Sequence, residues 1–146
     1  MTILYSDNCA VYGGVQPRSG IGFCTVSGHY DLSATVDIET ADVIQLVKIP
    51  KGATVLDLIL DVPVIDTGTA IVWGLGDDGS PSRYIAAEAT MGRVGAGGIK
   101  RLTVAGSSQY AYTADNTIDM IFGTGAATAT ATTGIIKLTV FYTFDL

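Results

Sequence analysis

Apolar and polar residues alternate at every second position through most of the chain from residue 31 onward. Successive side chains of a β-strand face opposite sides of the sheet, so this alternation predicts strands with one buried and one solvated face. Glycine or proline interrupts the alternation every 8 to 15 residues, as turns between short strands require. The pattern therefore predicts an all-β fold.

The clearest predicted strand is 135–144, near the end of the chain. Its apolar face carries Ile136, Leu138, Val140, Tyr142 and Phe144. A second long strand is predicted after the turn at residues 50–52. Its apolar face carries Leu56, Leu58, Leu60 and Val62, with Asp57 and Asp61 on the opposite face. Residues 31–38 alternate in the same way and predict a further strand.

The segment 80–92 is compatible with a short helix. Ser80 could cap it, Pro81 suits a first helical turn, and Gly92 could end it. Helical and non-helical structure remain equally open for this segment.

Eight or so short strands without a repeating unit favour a β-sandwich or jelly roll, with a partly closed barrel as the alternative. Residues 1–30 lack the alternation and are predicted to form an irregular N-terminal arm before a sandwich domain at 31–146. The arm keeps apolar side chains that are costly to leave in water, so we expect it to contact a partner. Within it, residues 20–27 are best suited to fold back as a strand of the sandwich. The candidate interaction residues are Ile3, Leu4, Tyr5, Val11, Tyr12, Ile21 and Phe23.

Composition excludes several classes of protein. Hydrophobic residues make up 48% of the chain, yet no stretch approaches the ~18 uninterrupted apolar residues of a membrane-spanning helix, so no membrane contact is expected. The N-terminus has no basic start followed by an apolar core, so synthesis without secretion is expected. The net charge of −6 argues against a nucleic-acid surface, because such a surface needs a basic patch to neutralise phosphates.

The nearest approach to a chemical motif is GLGDDGSPSRY, residues 74–84, where Asp77 and Asp78 are adjacent. A calcium loop needs about six or seven oxygen ligands, usually from alternate acidic residues, whereas adjacent residues of an extended chain point apart. The stretch also lacks the lysine of a phosphate-binding loop. Because Asp and Gly both favour turns, we interpret it as a turn and expect replacing both aspartates with asparagine to change stability within about ±0.5 kcal/mol.

Other reactive residues are few. His29 is the only histidine, and no serine lies in a GxSxG elbow, so a catalytic triad is not predicted. Cys9 and Cys24 are expected to be free thiols, although a disulfide between them is not excluded by the sequence. No metal or other cofactor is predicted, and the chain is not expected to be an enzyme.

Exposed aromatic residues could stack on sugar rings, which would indicate a carbohydrate-binding function. Trp73 shares a strand face with Ile71 and Leu75, so core packing is the preferred interpretation. Tyr110 and Tyr112 share one face of a short segment, where a sheet contact is preferred over a platform for sugar rings.

Four stretches together resemble the small all-β decoration or cement proteins of tailed-bacteriophage capsids. They are VKIPKGATVLDLILDV, IVWGLGDDGSPSRYI, YAYTADNTIDMIFGTGAA and TGIIKLTVFYTFD. The resemblance covers about Val47 to Leu146, two thirds of the chain, and leaves the arm outside. It implies a jelly-roll or β-sandwich module and supplies no catalytic residues.

The resemblance implies a structural virion protein, made in the host cytoplasm, that binds the outside of a phage head. Its expected partner is the major capsid protein, whose contacts it would stabilise. A homo-oligomer is also expected, a trimer first and a dimer second, because sandwich modules expose sheet edges that must be covered. The alternative function is a carbohydrate- or receptor-binding module of a phage tail or fibre.

Overall fold

The computed structural model describes residues 3–5, 22–34, 38–105, 107–125 and 134–144. The strands in these ranges are β1 (Ile3–Tyr5), β2 (Gly22–Asp31), β3 (Val43–Ile49), β4 (Ala53–Val62), β5 (Val72–Asp77), β6 (Ser80–Glu88), β7 (Gly98–Arg101), β8 (Tyr110–Ala111), β9 (Asn116–Thr124) and β10 (Ile135–Phe144). A 3-10 helix, Leu32–Ala34, follows β2 directly. Within the described ranges, no helix has the length and apolar character needed to cross a membrane.

The strands form two sheets that pack face to face. The first sheet has the order β1-β3-β9-β5-β6, and the second has the order β2-β10-β4-β7, with β8 also paired to β4. Pairing in the described ranges is antiparallel except between β1 and β3, which are parallel. Apolar side chains from both sheets fill the space between them. The predicted all-β sandwich is confirmed.

Strand β10 lies at the centre of the second sheet, between β2 and β4. Its predicted alternation is confirmed, with Phe144 partly buried at the end of the apolar face. The fully buried residues of that face are Ile136, Leu138, Val140 and Tyr142. Burying one such aliphatic side chain stabilises a fold by roughly 1.5–3 kcal/mol, so this strand anchors the core.

Strand β4 departs from its predicted pattern at Leu56. Phe141 of β10 pairs with Asp57, but the next residue of β10 pairs with Val55, so Leu56 is the extra residue of a β-bulge. A bulge shifts the alternation by one position, which puts Val55 on the core face and leaves Leu56 half-buried. The rest of the predicted face is buried as expected: Leu58, Leu60 and Val62.

The predicted strand at 31–38 is wrong. Strand β2 ends at Asp31, whose Oδ1 accepts the backbone N–H of Ser33 at 2.9 Å and so favours the turn into the 3-10 helix. Leu32 and Ile38 are nevertheless buried. The apolar pattern therefore identified core residues but not their local structure, and residues 35–37 lie outside the described ranges.

Of the two possibilities left open for 80–92, the helix is excluded, because residues 80–88 form β6. Leu75 of β5 pairs with Ile85, and Trp73 pairs with Glu88. This pairing buries Tyr84 and Ile85, and the gain from pairing outweighs the helix-start signal of the sequence.

Part of the predicted N-terminal arm belongs to the sandwich. Strand β2 pairs with β10 along its whole length, from Gly22 opposite Phe144 to Asp31 opposite Ile135. The sandwich therefore begins before the expected boundary at residue 31, and includes the part of 20–27 that the structure describes. Strand β1 lies at the edge of the first sheet, and residues 6–21 lie outside the described ranges.

Contacts between the sheets close both sides of the sandwich. On one side, β2 approaches β3 so closely that a Cβ atom on Gly28 would lie 1.9 Å from the carbonyl oxygen of Leu46. On the other side, the backbone carbonyl of Tyr84 in β6 accepts the backbone N–H of Thr103 at 3.0 Å. The hydroxyl oxygen of Thr103 in turn accepts the N–H of Ala86 at 3.1 Å. These bonds fasten β6 to the segment after β7.

Candidate functional site

A buried polar cluster surrounds Asp77, the last residue of β5, which is 1% exposed. Its Oδ2 accepts hydrogen bonds from Arg83 Nε at 2.6 Å and from the Tyr112 hydroxyl at 2.9 Å. Its Oδ1 accepts from Arg83 Nη2 at 3.1 Å and from the backbone N–H groups of Gly79 and Ser80 at 3.1 and 2.9 Å. The carboxylate is therefore fully satisfied inside the fold.

The turn interpretation of GLGDDGS is confirmed, because Asp78 and Gly79 form the turn between β5 and β6. The expectation that both carboxylates are replaceable surface groups is wrong for Asp77. Only Asp78 is exposed, where its Oδ1 accepts the Asn116 side-chain amide at 2.6 Å.

The glycines of this stretch have a packing role. A Cβ atom on Gly76 would lie 2.0 Å from the carbonyl oxygen of Ser80, and one on Gly74 would lie 2.8 Å from the Ser82 hydroxyl oxygen. Strand β6 therefore runs against the backbone of β5 at both positions. The stretch GLG is explained by this close approach rather than by phosphate binding.

Two tyrosines extend the cluster into the core. The hydroxyl oxygens of Tyr84 and Tyr112 are 2.7 Å apart. Because Tyr112 donates its single proton to Asp77, it must accept from Tyr84, which gives a chain of hydrogen bonds with one direction. Burial raises the pKa of both tyrosines well above their usual range, so neither exchanges a proton near neutral pH.

Arg83 also contacts Tyr110, the first residue of β8. Its guanidinium carbon lies 3.7 Å from the centre of the Tyr110 ring, which is close enough for a cation–π interaction. The hydrogen bonds to Asp77 raise the pKa of Arg83 further, so the arginine remains charged. Tyr110 in turn packs edge-on against Tyr112, with ring centres 5.0 Å apart. These contacts confirm the preferred interpretation of the two tyrosines as sheet contacts.

The cluster joins the two sheets at one end of the sandwich. Asp77 and Arg83 belong to the first sheet, whereas Tyr112 follows β8 and exchanges backbone hydrogen bonds with Ala53 and Gly52, both at 2.8 Å. Its chemistry is charge-assisted hydrogen bonding between buried partners, and such bonds are stronger than neutral ones. The geometry assigns it to holding the fold together.

Asp119 of β9 is a second buried carboxyl near the cluster. It is 4% exposed, and its Oδ1 has no hydrogen-bond partner among the described residues. Burial and, to a smaller extent, the negative charges of Asp77 and Asp78 raise its pKa to about 6, against the hydrogen bond from Thr117. Compared with the unfolded chain, the fold therefore favours the protonated form of Asp119.

We expect the protein to become more stable as the pH falls from 7 to 5. The folded-state pKa of Asp119 is about 6, above its ordinary 3.8. Its contribution to the stability of the fold is therefore fully present below pH 3.8 and is lost as the pH rises through 6. Asp119→Asn should raise the free energy of unfolding at pH 7, by on the order of 1–3 kcal/mol, and remove much of this pH dependence. Urea unfolding at both pH values measures the free energy of unfolding of wild type and Asp119→Asn, with Asp61→Asn, at an exposed position, as the control. Equal pH slopes for wild type and Asp119→Asn would contradict the assignment.

A shallow hollow between β6 and β7 contains the ion pair of Glu88 and Lys100. Glu88 Oε1 also accepts the backbone N–H groups of Thr90 and Met91 at 2.9 and 3.2 Å. Burial raises the pKa of Glu88, but Lys100 and these N–H groups outweigh burial and hold it at about 2. This carboxylate ties the start of the following loop to β7 and does not titrate between pH 5 and 7.

The remaining candidates have structural explanations where the structure describes them. Trp73 is fully buried and donates its indole N–H to the Met91 carbonyl at 2.8 Å, which confirms its core position. His29 is exposed on β2. Cys24 is a free thiol, and Cys9 lies outside the described ranges. Within those ranges, no group of three or more His, Cys, Asp or Glu residues could hold a metal ion.

The predicted interaction residues are spread over the N-terminal part of the chain. Ile3, Leu4 and Tyr5 form β1, and Phe23 is 66% exposed at the start of β2. Val11, Tyr12 and Ile21 lie outside the described ranges. That any of these residues contacts a partner stays a prediction.

Several exposed apolar residues were missed from the sequence. They are Ile99 at 65% exposure, Val94 at 57% and Ile135 at 51%. The half-buried Phe141 stacks on Phe23 with ring centres 5.8 Å apart. A signal for Ile135 was present, because Ile135 and Phe141 occupy polar positions in the alternation of β10.

No protein-family model and no curated protein sequence matches the chain. Among solved structures, a chain in the capsid of Ralstonia phage GP4 matches with a TM-score of 0.76 and 24% identity, covering 99% of each chain. A chain in the capsid asymmetric unit of cyanophage Pam1 matches with a TM-score of 0.72 and 26% identity, covering 94% of this chain and 97% of the other. A chain in the acid-stable capsid of Helicobacter pylori bacteriophage KHP30 matches with a TM-score of 0.57 and 12% identity, covering 84% and 87%. The sandwich is therefore a fold found among chains of phage capsids.

Proposed function

We propose that this chain is a structural protein of a bacteriophage virion. More specifically, it is a decoration or cement protein that binds the outside of the head and stabilises contacts between subunits of the major capsid protein. The observation that carries the proposal is the match to a chain of the cyanophage Pam1 capsid, at 26% identity over 94% of this chain and 97% of the other. The match covers nearly the whole of each chain, as expected if both are small accessory chains of a head.

Two features of the fold support a structural role. Charged side chains such as the buried Asp77 and the partly buried Glu88 bind other parts of the fold rather than lining a deep cleft. The strand orders β2-β10-β4-β7 and β3-β9-β5-β6 support a jelly roll, in which successive strands mostly alternate between two four-stranded sheets. The alternative of a carbohydrate-binding module loses its sequence support, since Trp73 and Tyr112 are buried.

We also propose that the N-terminal arm attaches the protein to the phage head. Its apolar residues before β2 contact a neighbouring capsid subunit, which covers surface that would otherwise face water. The partner is protein rather than nucleic acid, because the net charge of −6 repels phosphate.

Purified protein is expected to bind phage heads built from the cognate major capsid protein and to raise the temperature at which they open. Co-sedimentation measures binding, and electron microscopy of the decorated heads locates the added density. A chain starting at Ser19 is expected to remain folded but to lose most binding if the arm attaches the protein. Failure of the full chain to bind heads would overturn the proposed function, whereas full binding by the shortened chain would move the attachment to the sandwich.

A further inference from the structure

Strand β6 has a large bulge where it passes Gly76 of β5. The two pairs on either side of Gly76 are separated by one residue on β5 but by four on β6, residues 81–84. A bulge bends its strand and redirects the side chains that it carries. This one directs Arg83 and Tyr84 to the cluster around Asp77, which therefore holds the bulge from the core side.

The backbone at the start of the bulge covers β5 on the side turned away from the core. Leu75 and Asp77 are buried between the sheets, so Gly76 between them faces outward. The carbonyl oxygens of Ser80 and Pro81 lie 2.0 and 2.8 Å from the position that a Cβ atom on Gly76 would take. Two backbone carbonyl groups therefore occupy the outer face of the first sheet at this point.

Asp119 is the neighbour of these carbonyl groups on the same face. It lies opposite Gly76 in the pairing of β9 with β5. Residues directly opposite each other carry their Cβ atoms on the same face, about 4.5–5.5 Å apart. The Asp119 side chain is 4% exposed, and its Oδ1 has no hydrogen-bond partner among the described residues. The carboxyl and the carbonyl groups of Ser80 and Pro81 therefore share one buried space.

The charges around this space favour a protonated carboxyl. Only the protonated form can donate a hydrogen bond to a carbonyl oxygen, whereas a carboxylate would face oxygens of partial negative charge. The carboxylates of Asp77 and Asp78 also oppose a further negative charge, which agrees with the raised pKa. Strand β3 places the uncharged Gln45 opposite the carboxyl and Lys48 two pairs further along. The bulge adds the charge of Arg83, which is bound to Asp77.

We propose that protonated Asp119 donates a hydrogen bond from Oδ1 to the backbone carbonyl groups at Ser80 and Pro81 and so fastens the β6 bulge to β9. Loss of the proton removes this bond and leaves a buried carboxylate against carbonyl oxygens, so the bulge opens on its outer side. The pKa of Asp119 is about 6, so the bond is present in mildly acidic solution and is lost as the pH rises through 6. The inference goes beyond the proposed function, because it concerns the free protein and needs no phage head.

Amide hydrogen exchange of the full chain, followed by NMR at pH 5 and pH 7, tests the inference. The amides of Tyr84 and Ile85 report on the bulge, because both residues are fully buried there. After correction for the intrinsic effect of pH on exchange, their protection should fall about tenfold between pH 5 and pH 7, the factor that a pKa of about 6 against 3.8 allows. At pH 7 both should exchange faster than the amides of β10, since opening of the bulge leaves the second sheet paired. Equal protection at the two pH values would overturn the inference.

Asp119→Asn and Asp119→Leu separate the hydrogen bond from the cost of burying a charge. Both remove the charge at similar side-chain size, but only asparagine keeps a donor. Relative to the amides of β10, Asp119→Asn should protect Tyr84 and Ile85 at pH 7 as strongly as wild type does at pH 5. Asp119→Leu should leave them at the wild-type pH 7 level at both pH values.

The exposed Asp61→Asn is the control and should keep the pH dependence of wild type. Equal protection of the bulge in Asp119→Asn and Asp119→Leu would show that only the buried charge matters and would overturn the inference. The wild-type measurement needs no variant, so it decides the matter even if Asp119→Leu does not fold. No phage head takes part, so failure here leaves the proposed function untouched.

Discussion

Asp77→Ala is expected to lower the free energy of unfolding by about 3–5 kcal/mol, because removing one member of a buried ion pair leaves the other without its partner. Arg83 is only 19% exposed and would lose both of its hydrogen bonds to the carboxylate. The Tyr112 hydroxyl and the N–H groups of Gly79 and Ser80 would also lose their acceptor. An unsatisfied buried donor costs about 1–3 kcal/mol, so the total depends on how much water enters the cluster.

The adjacent carboxylate is the natural control for this change. Asp78→Ala removes the same charge one residue away but breaks only an exposed hydrogen bond with Asn116, so it should cost less than about 0.5 kcal/mol. Urea unfolding of both variants at neutral pH measures the difference. If the two substitutions cost the same, the cluster around Asp77 does not hold the sheets together as described.

Gly28→Ala is the second change with a large expected effect. The added methyl group would lie 1.9 Å from the Leu46 carbonyl oxygen and 2.9 Å from Val47 Cγ1. The first of these atoms is backbone, so β2 and β3 would have to separate. Overpacking a core costs about 1–3 kcal/mol even when side chains can yield, and we expect about 3 kcal/mol or more here.

A glycine with room for a methyl group provides the comparison for Gly28. Gly123 of β9 is exposed, and a Cβ atom there would have its nearest neighbour, the Val72 carbonyl oxygen, at 3.9 Å. Gly123→Ala should therefore stabilise the protein slightly, by up to about 1 kcal/mol, because glycine is unfavourable inside a strand. Thermal melting of the two variants should give shifts of opposite sign. A shift of the same sign and size in both would show that the sheets do not approach as closely as the fold requires.

The hydrophobic pattern predicted which faces are buried better than it predicted local structure. The alternation of β10 was sufficient because its partners on both sides continue the same register for most of its length. It failed at Leu56, since a bulge depends on the partner strand and leaves no mark in the sequence of its own strand. For residues 80–88 a local helix signal competed with pairing to β5, and pairing decided the outcome.

The candidate site was harder to predict, because it depends on contacts between distant residues. Asp77 and Asp78 are the same residue type in adjacent positions, and nothing local distinguishes them. Their difference comes from Tyr112, which lies beyond β7 in the sequence, and from the β5–β6 hairpin that brings Arg83 back to the carboxylate. A single sequence shows the carboxylates but not which of them the fold encloses.

The central place of β10 in the second sheet has a consequence for synthesis of the protein. The strands on either side of it, β2 and β4, have β10 as their shared partner, yet β10 is the last described strand to leave the ribosome. Until then, two long strands have unpaired backbone edges, and such edges invite pairing with other chains. Pairings between distant parts of a chain also form slowly. Strand β2 and one edge of β4 therefore stay unpaired until β10 has been synthesised, and the second sheet is complete only then.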